Sequence, residues 1–137
     1  MIVAADNANF GLPETKRGLV PSSGGMLRLP QRIPYHIALE VILTGEMLPA
    51  QRAHHFGLVN RLVEPGKALE GALEMGRIIA QNGPLAVQAA KEIISASKDW
   101  RQSDMFDLQR PRTAPIFASA EAKMGAVRGR CRSNMSD

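Results

Sequence analysis

Aromatic side chains make up only 4% of the 137 residues, and this scarcity excludes a surface built to stack bases, as in RNA-type recognition. A lone cysteine, Cys131, excludes an internal disulfide and gives no thiol partner for a zinc site, so a reducing compartment and no metal centre are expected. No apolar run approaches the roughly 18 residues needed to cross a bilayer, so no membrane partner is expected. The opening MIVAADNANF has no basic segment ahead of an apolar one, so no secretory signal is read and the cytoplasm is the expected location.

Positive charge is concentrated at one end. Of the net +4, residues Lys123, Arg128, Arg130 and Arg132 against Asp137 account for +3, which leaves +1 for everything before residue 123. A basic terminus of that kind is read as a solvated tail, and no nucleic-acid partner is expected. Apolar residues reach 45% and are small or aliphatic, the composition of a single domain packed without aromatic clusters.

The pattern along the chain mixes strands and helices. Ile2-Val3-Ala4-Ala5 reads as a buried strand, residues 9 to 12 as a second extended piece, and Glu14 as a loop residue just beyond it. After Pro21, SSGGMLRLPQRI reads as a helix start capped by a hydroxyl, with Pro30 and Pro34 cutting the following chain into short helices. Ile37, Ala38, Val41 and Ile42 recur at helical spacing up to Gly45, and a short helix spans Pro49 to Gly57. Residues 58 to 63 alternate as a strand; helices are then expected over 67 to 82, 84 to 97, 103 to 110 and 118 to 127, with Pro111 and Pro115 interrupting between the last two.

Glu14 is the residue with chemical promise. A carboxylate partly desolvated behind an apolar extended segment is suited to proton transfer near neutral pH, and the glycines that follow let backbone amides face a ligand. The same residues also describe a surface glutamate beside a glycine-rich turn, so spacing leaves both readings open.

The combined pattern F-G-x-P-E-x-x-x-G-x-x-P-x-x-G-G-x-x-R-L-P is met at Phe10, Gly11, Pro13, Glu14, Gly18, Pro21, Gly24, Gly25, Arg28, Leu29 and Pro30. With Leu43-Thr44-Gly45, Gly57-Leu58-Val59-Asn60 and Gly83-Pro84-Leu85-Ala86, it resembles the crotonase (enoyl-CoA hydratase/isomerase) family over residues 1 to about 122. The resemblance is to the carboxy-terminal half of such an enzyme. It implies an α/β class, α+β by content: a truncated crotonase-like fold with a remnant of the ββα spiral core at 1–66, a helical oligomerisation region at 67–122 and a divergent tail at 123–137.

In that family two glutamates flank the enoyl double bond and pass protons by way of a water, while two backbone amides stabilise the thioester oxygen. Glu14 matches the second glutamate, which implies a general acid/base; Pro13, Gly18, Pro21 and Ser22 would shape the substrate site, Ser22 offering its backbone amide. The other glutamate and both amides would belong to sequence ahead of Met1. Hydration of a trans-2-enoyl-CoA is the first implied reaction and double-bond isomerisation the second, with the coenzyme A thioester as substrate, no cofactor, and a homotrimer or hexamer in the intact family. A reading of another class is a non-catalytic helical assembly remnant.

His54 and His55 are adjacent, so they project about 100° apart on a helix and do not form the i, i+4 pair that chelates zinc. These two and His36 are read as structural, Lys16-Arg17 as solvated charges, and Trp100 as a packing residue.

Overall fold

The computed structural model describes residues 1–120 together with Ala122 and Met124. The expected tail at 123–137, including Cys131 and apart from Met124, and half of the expected 118–127 helix lie outside the described residues. Two compact units are present, residues 1–75 and a second from Gly76 onward.

In the first unit the strands are short and pair across long stretches of sequence. Strand β1 (Val3–Ala5) runs parallel to β4 (Arg61–Val63), with Val3 opposite Arg61 and Ala5 opposite Val63. Strand β2 (Asn9–Phe10) is antiparallel to β3 (Leu48–Pro49). The alternation over 58–63 yields strand only from Arg61, because the amides of Leu58 and Val59 turn back to the Ala53 carbonyl and close the preceding helix. Val59 is buried there instead of being laddered.

Between these strands lie the helices α1 (Gly25–Arg28), α2 (Tyr35–Thr44) and α3 (Ala50–His55), with single 3-10 turns at Pro13–Arg17 and Leu29–Gln31. Helix α1 starts without the expected hydroxyl cap. Gly24, at φ 92°, holds the N-cap position with no side-chain bond, and Ser22 and Ser23 lie exposed in the turn before it. Helix α2 buries Ala38, Val41 and Ile42, and Gly45 ends it in the left-handed region with its amide on the Val41 carbonyl. The core gathers Ala4, Val41, Ala53 and Val59 around Leu48, which is 1% exposed.

Two further contacts fix helices of this unit in place. Arg52 on α3 grips Glu40 on α2 through two bonds of 2.7 Å and stacks over Phe56 at 5.4 Å. The hydrogen bonds from Arg52 hold the Glu40 carboxyl below its ordinary value of 4.5 against a smaller opposing effect of burial, and charge attraction from Arg52 and His36 adds to the lowering. Helix α4 (Ala68–Ala80) approaches the β1–β4 pair at Gly71, where an added Cβ would sit 2.9 Å from a Val63 methyl and 3.1 Å from a Val3 methyl.

In the second unit, α5 (Pro84–Ala96) and α6 (Met105–Phe117) are joined by Arg112, which bonds Glu92 at 2.9 Å and covers the Trp100 ring at 5.2 Å. Helix α6 runs through Pro111 and Pro115, which were expected to interrupt it. The two prolines are four apart, so their missing donors fall on one exposed face where water can take the freed carbonyls. No described residue from Gly76 onward is buried.

Gly71 and Gly76 occupy the same helix, yet only Gly71 is crowded; among the described residues nothing lies within 4 Å of a Cβ at Gly76. Gly76→Ala is therefore expected to raise stability by about 0.5–1 kcal/mol, while Gly71→Ala loses that gain to overpacking and comes out neutral or destabilising in urea denaturation. For Arg52, the sign follows from the lowered Glu40 pKa: the interaction is complete above the unfolded carboxylate value and disappears as pH falls through the folded one. Arg52→Met should lower the thermal midpoint at neutral pH and converge with the parent protein in acid, as read from a melting series against pH.

Candidate active site

The stretch with chemical promise forms one tight turn followed by one helix start. Pro13 occupies the first position of its 3-10 turn, where its fixed φ suits the turn and its missing N–H costs nothing. Glu14 thus lies on a 3-10 turn, not in an irregular loop. Gly18, at φ 69°, closes the turn in a conformation that strains any residue with a Cβ; its amide reaches the Thr15 carbonyl and that of Leu19 the Glu14 carbonyl, each at 3.1 Å.

Glu14 is half-buried, and its Oε2 is fully buried with no hydrogen-bond partner among the described residues. The turn is seated on the end of α2: Thr15 Oγ1 donates to the Ile42 carbonyl at 2.9 Å, and Lys16 Nζ meets Glu46 at 2.6 Å. Gly45 leaves the space, since a Cβ there would lie 2.9 Å from Lys16 Cγ and 3.1 Å from Thr15 Oγ1.

Beside this turn an open cleft of about 550 Å³ is lined by ten residues, six of which, Phe10, Gly11, Leu12, Gly25, Arg28 and Leu29, come from the motif stretch. Its walls are mostly apolar, with Arg28 and Arg32 among the lining residues. Gly25 is needed for the wall to close: an added Cβ would lie 2.9 Å from both methyl groups of Leu12. Such a cleft suits an apolar chain carrying an anionic or strongly polar group.

Pro13, Glu14 and Gly18 share one turn, while Pro21 is buried and Ser22 exposed in the segment leading to α1. None of these five lines the cleft directly; Leu12, one residue before Pro13, does. The sequence reading missed Thr15 and took Gly45 only as a helix stop. Their contact joins residues 27 and more apart, and no local pattern signals it. Two of the three histidines have structural surroundings: His54 Nδ1 lies 2.8 Å from the Val59 carbonyl, and His55 meets Phe56 edge to face, while His36 is exposed. No described helix is long and apolar enough to cross a membrane.

Comparison with known proteins places this geometry. The family model described as enoyl-CoA hydratase/isomerase matches residues 1–132. A carnitinyl-CoA dehydratase of Salmonella arizonae is 46% identical over 98 residues, 72% of this chain and 38% of that protein; one of Escherichia coli O157:H7 is 36% identical over 93% of this chain and 49% of its own length. The crystal structure of an enoyl-CoA hydratase from Mycobacterium tuberculosis superposes with a TM-score of 0.87 at 53% identity, covering 95% of this chain and 52% of that one. An enoyl-CoA hydratase from Bacillus anthracis gives 0.85 at 32% identity, over 95% and 50%. This chain thus spans about half the length, or less, of the relatives it matches. A match over nearly all of its residues, in sequence and in backbone, makes the fold crotonase-like, and the chain belongs to the enoyl-CoA hydratase/isomerase family.

Proposed function

We propose that this chain supplies one proton-transfer carboxylate of an enoyl-CoA hydratase site, with Glu14 as general acid/base in the reversible addition of water to a trans-2-enoyl-CoA. The observation that carries the proposal is the buried, unpartnered Oε2 of Glu14. An unsatisfied buried acceptor costs about 1–3 kcal/mol, and a fold retains one where a water or a substrate proton completes it. In hydration the hydroxyl of water goes to the β-carbon and a proton to the α-carbon; a carboxylate held between them takes the first proton and an acid returns one. Dehydration is the same path reversed, which is in keeping with relatives named as dehydratases.

Pro13 and Gly18 shape the turn that presents Glu14, and Ser22, just after Pro21, would offer its backbone amide to the water or acyl chain, in keeping with the family motif. The coenzyme A thioester is a substrate, and no cofactor takes part. A second glutamate and two oxyanion-hole amides have no counterpart assigned in residues 1–137; each missing oxyanion donor costs roughly 100- to 1000-fold in rate, so the isolated chain has little or no turnover.

The test is the 137-residue chain joined behind the first half of the Mycobacterium tuberculosis relative. This fusion is expected to hydrate crotonyl-CoA, read as loss of the conjugated thioester absorbance, and Glu14→Gln should lower kcat about 100- to 10,000-fold with KM little changed. Undiminished turnover by the glutamine variant would remove Glu14 from the chemistry.

A reading of another class, assembly by the helical region into a trimer or hexamer, is favoured by one observation. The second unit buries none of its described residues, and Phe106 and Phe117 are 78% and 79% exposed. Sedimentation of the 137-residue chain should show a multimer that Phe106→Glu with Phe117→Glu dissociates; a monomeric parent chain would refute assembly.

A further inference from the structure

We infer that Thr15 is the positioning residue for Glu14, acting as the cap of α2, and that Gly45 is what allows it to reach. For its catalytic consequence this rests on the hydratase reading; for its structural part it does not. The two backbone bonds of the Pro13–Arg17 turn, Gly18 to Thr15 and Leu19 to Glu14, both lie within residues 14–19, so they set the shape of the turn but not its direction. Direction comes from Thr15 Oγ1 on the Ile42 carbonyl at 2.9 Å.

That carbonyl needs a donor. In a continued helix the amide of residue 46 would serve it, but Glu46 N instead meets Thr44 Oγ1 at 3.1 Å, and Gly45 N takes the Val41 carbonyl. The Thr15 hydroxyl therefore satisfies an orphaned helix-end acceptor at a part-buried site, and each side gains from the other. The Lys16–Glu46 pair beside it is exposed and adds little.

Gly45 completes the device twice over. Its φ of 64° ends α2 at the right residue, and its missing Cβ opens the space that Thr15 Oγ1 and Lys16 Cγ approach. Because Thr15 is bonded to Glu14 through a planar peptide, a turn released from Ile42 also releases the carboxylate. A displacement of about 1 Å is enough to cost on the order of 100-fold in rate.

Thr15→Val keeps the shape and removes the donor; Thr15→Ser restores it. In the 137-residue chain, amide exchange at Gly18 and Leu19 should quicken about ten-fold or more in Thr15→Val and return toward the parent in Thr15→Ser, while amides in the middle of α2 keep their protection. In the fused hydratase, Thr15→Val should lower kcat about 10- to 100-fold at nearly constant KM, with recovery in Thr15→Ser. Unchanged exchange at Gly18 and Leu19, equal loosening of α2, or unchanged kcat beside a disabled Glu14→Gln control would each overturn the positioning role. If Glu14→Gln retains full turnover, or if the fused parent has none, the hydratase reading and the catalytic consequence of Thr15 fall together, and the exchange rates alone judge the anchor.

Discussion

A helix ends with carbonyls that have no donors of their own, and at α2 of this chain that deficit is met by a residue of a distant turn. Ala38, Val41 and Ile42 bury one face of α2, so its position is set by the core of the first unit. The Thr15 hydroxyl then ties the Pro13–Arg17 turn to that fixed helix end. The orientation of the Glu14 turn is thereby borrowed from a helix packed into the core, since a five-residue 3-10 turn has too few bonds to define its own orientation.

The sheets could not supply that rigidity. Each has two strands of two or three residues, and pairs that short are marginal in water without packing on a face. Parallel pairing of β1 with β4 also closes a loop of more than fifty residues, a large entropy cost that backbone bonds between two short strands do not offset. What offsets it is burial around Leu48 and the close approach of α4 at Gly71. Among the described residues, glycines at 11, 25, 45 and 71 mark four places where elements come nearer than a methyl group allows.

Periodicity and punctuation made most of the fold legible. The run from Ile37 to Ile42 with Gly45 and the apolar opening at Val3 lie where pattern indicated, because local sequence and tertiary burial agree there, while Pro84 starts α5 by local punctuation alone. Pattern misled where a backbone group found an unexpected partner. Leu58 and Val59 left the expected strand for the Ala53 carbonyl, and α6 passed through two prolines because their donors are missing on a solvated face. At the candidate site the motif marked Pro13, Glu14 and Gly18 as one unit. It was silent on Thr15 and Ile42, whose contact spans 27 residues and depends on how α2 packs.

The charge around Glu14 also follows from this arrangement. Glu40 and Glu74 in the same unit each hold an arginine at 2.7 Å, and Glu46 holds a lysine. A cation that close ties up the lone pairs of a carboxylate, which would be unhelpful in the proton-transfer group proposed for this chain. Lys16, two residues from Glu14, would be a ready partner, but the seating of the turn on α2 carries its ammonium group to Glu46 at 2.6 Å. The seating of the turn on α2 thus engages Lys16 with Glu46, and Oε2 of Glu14 stays buried with no partner among the described residues.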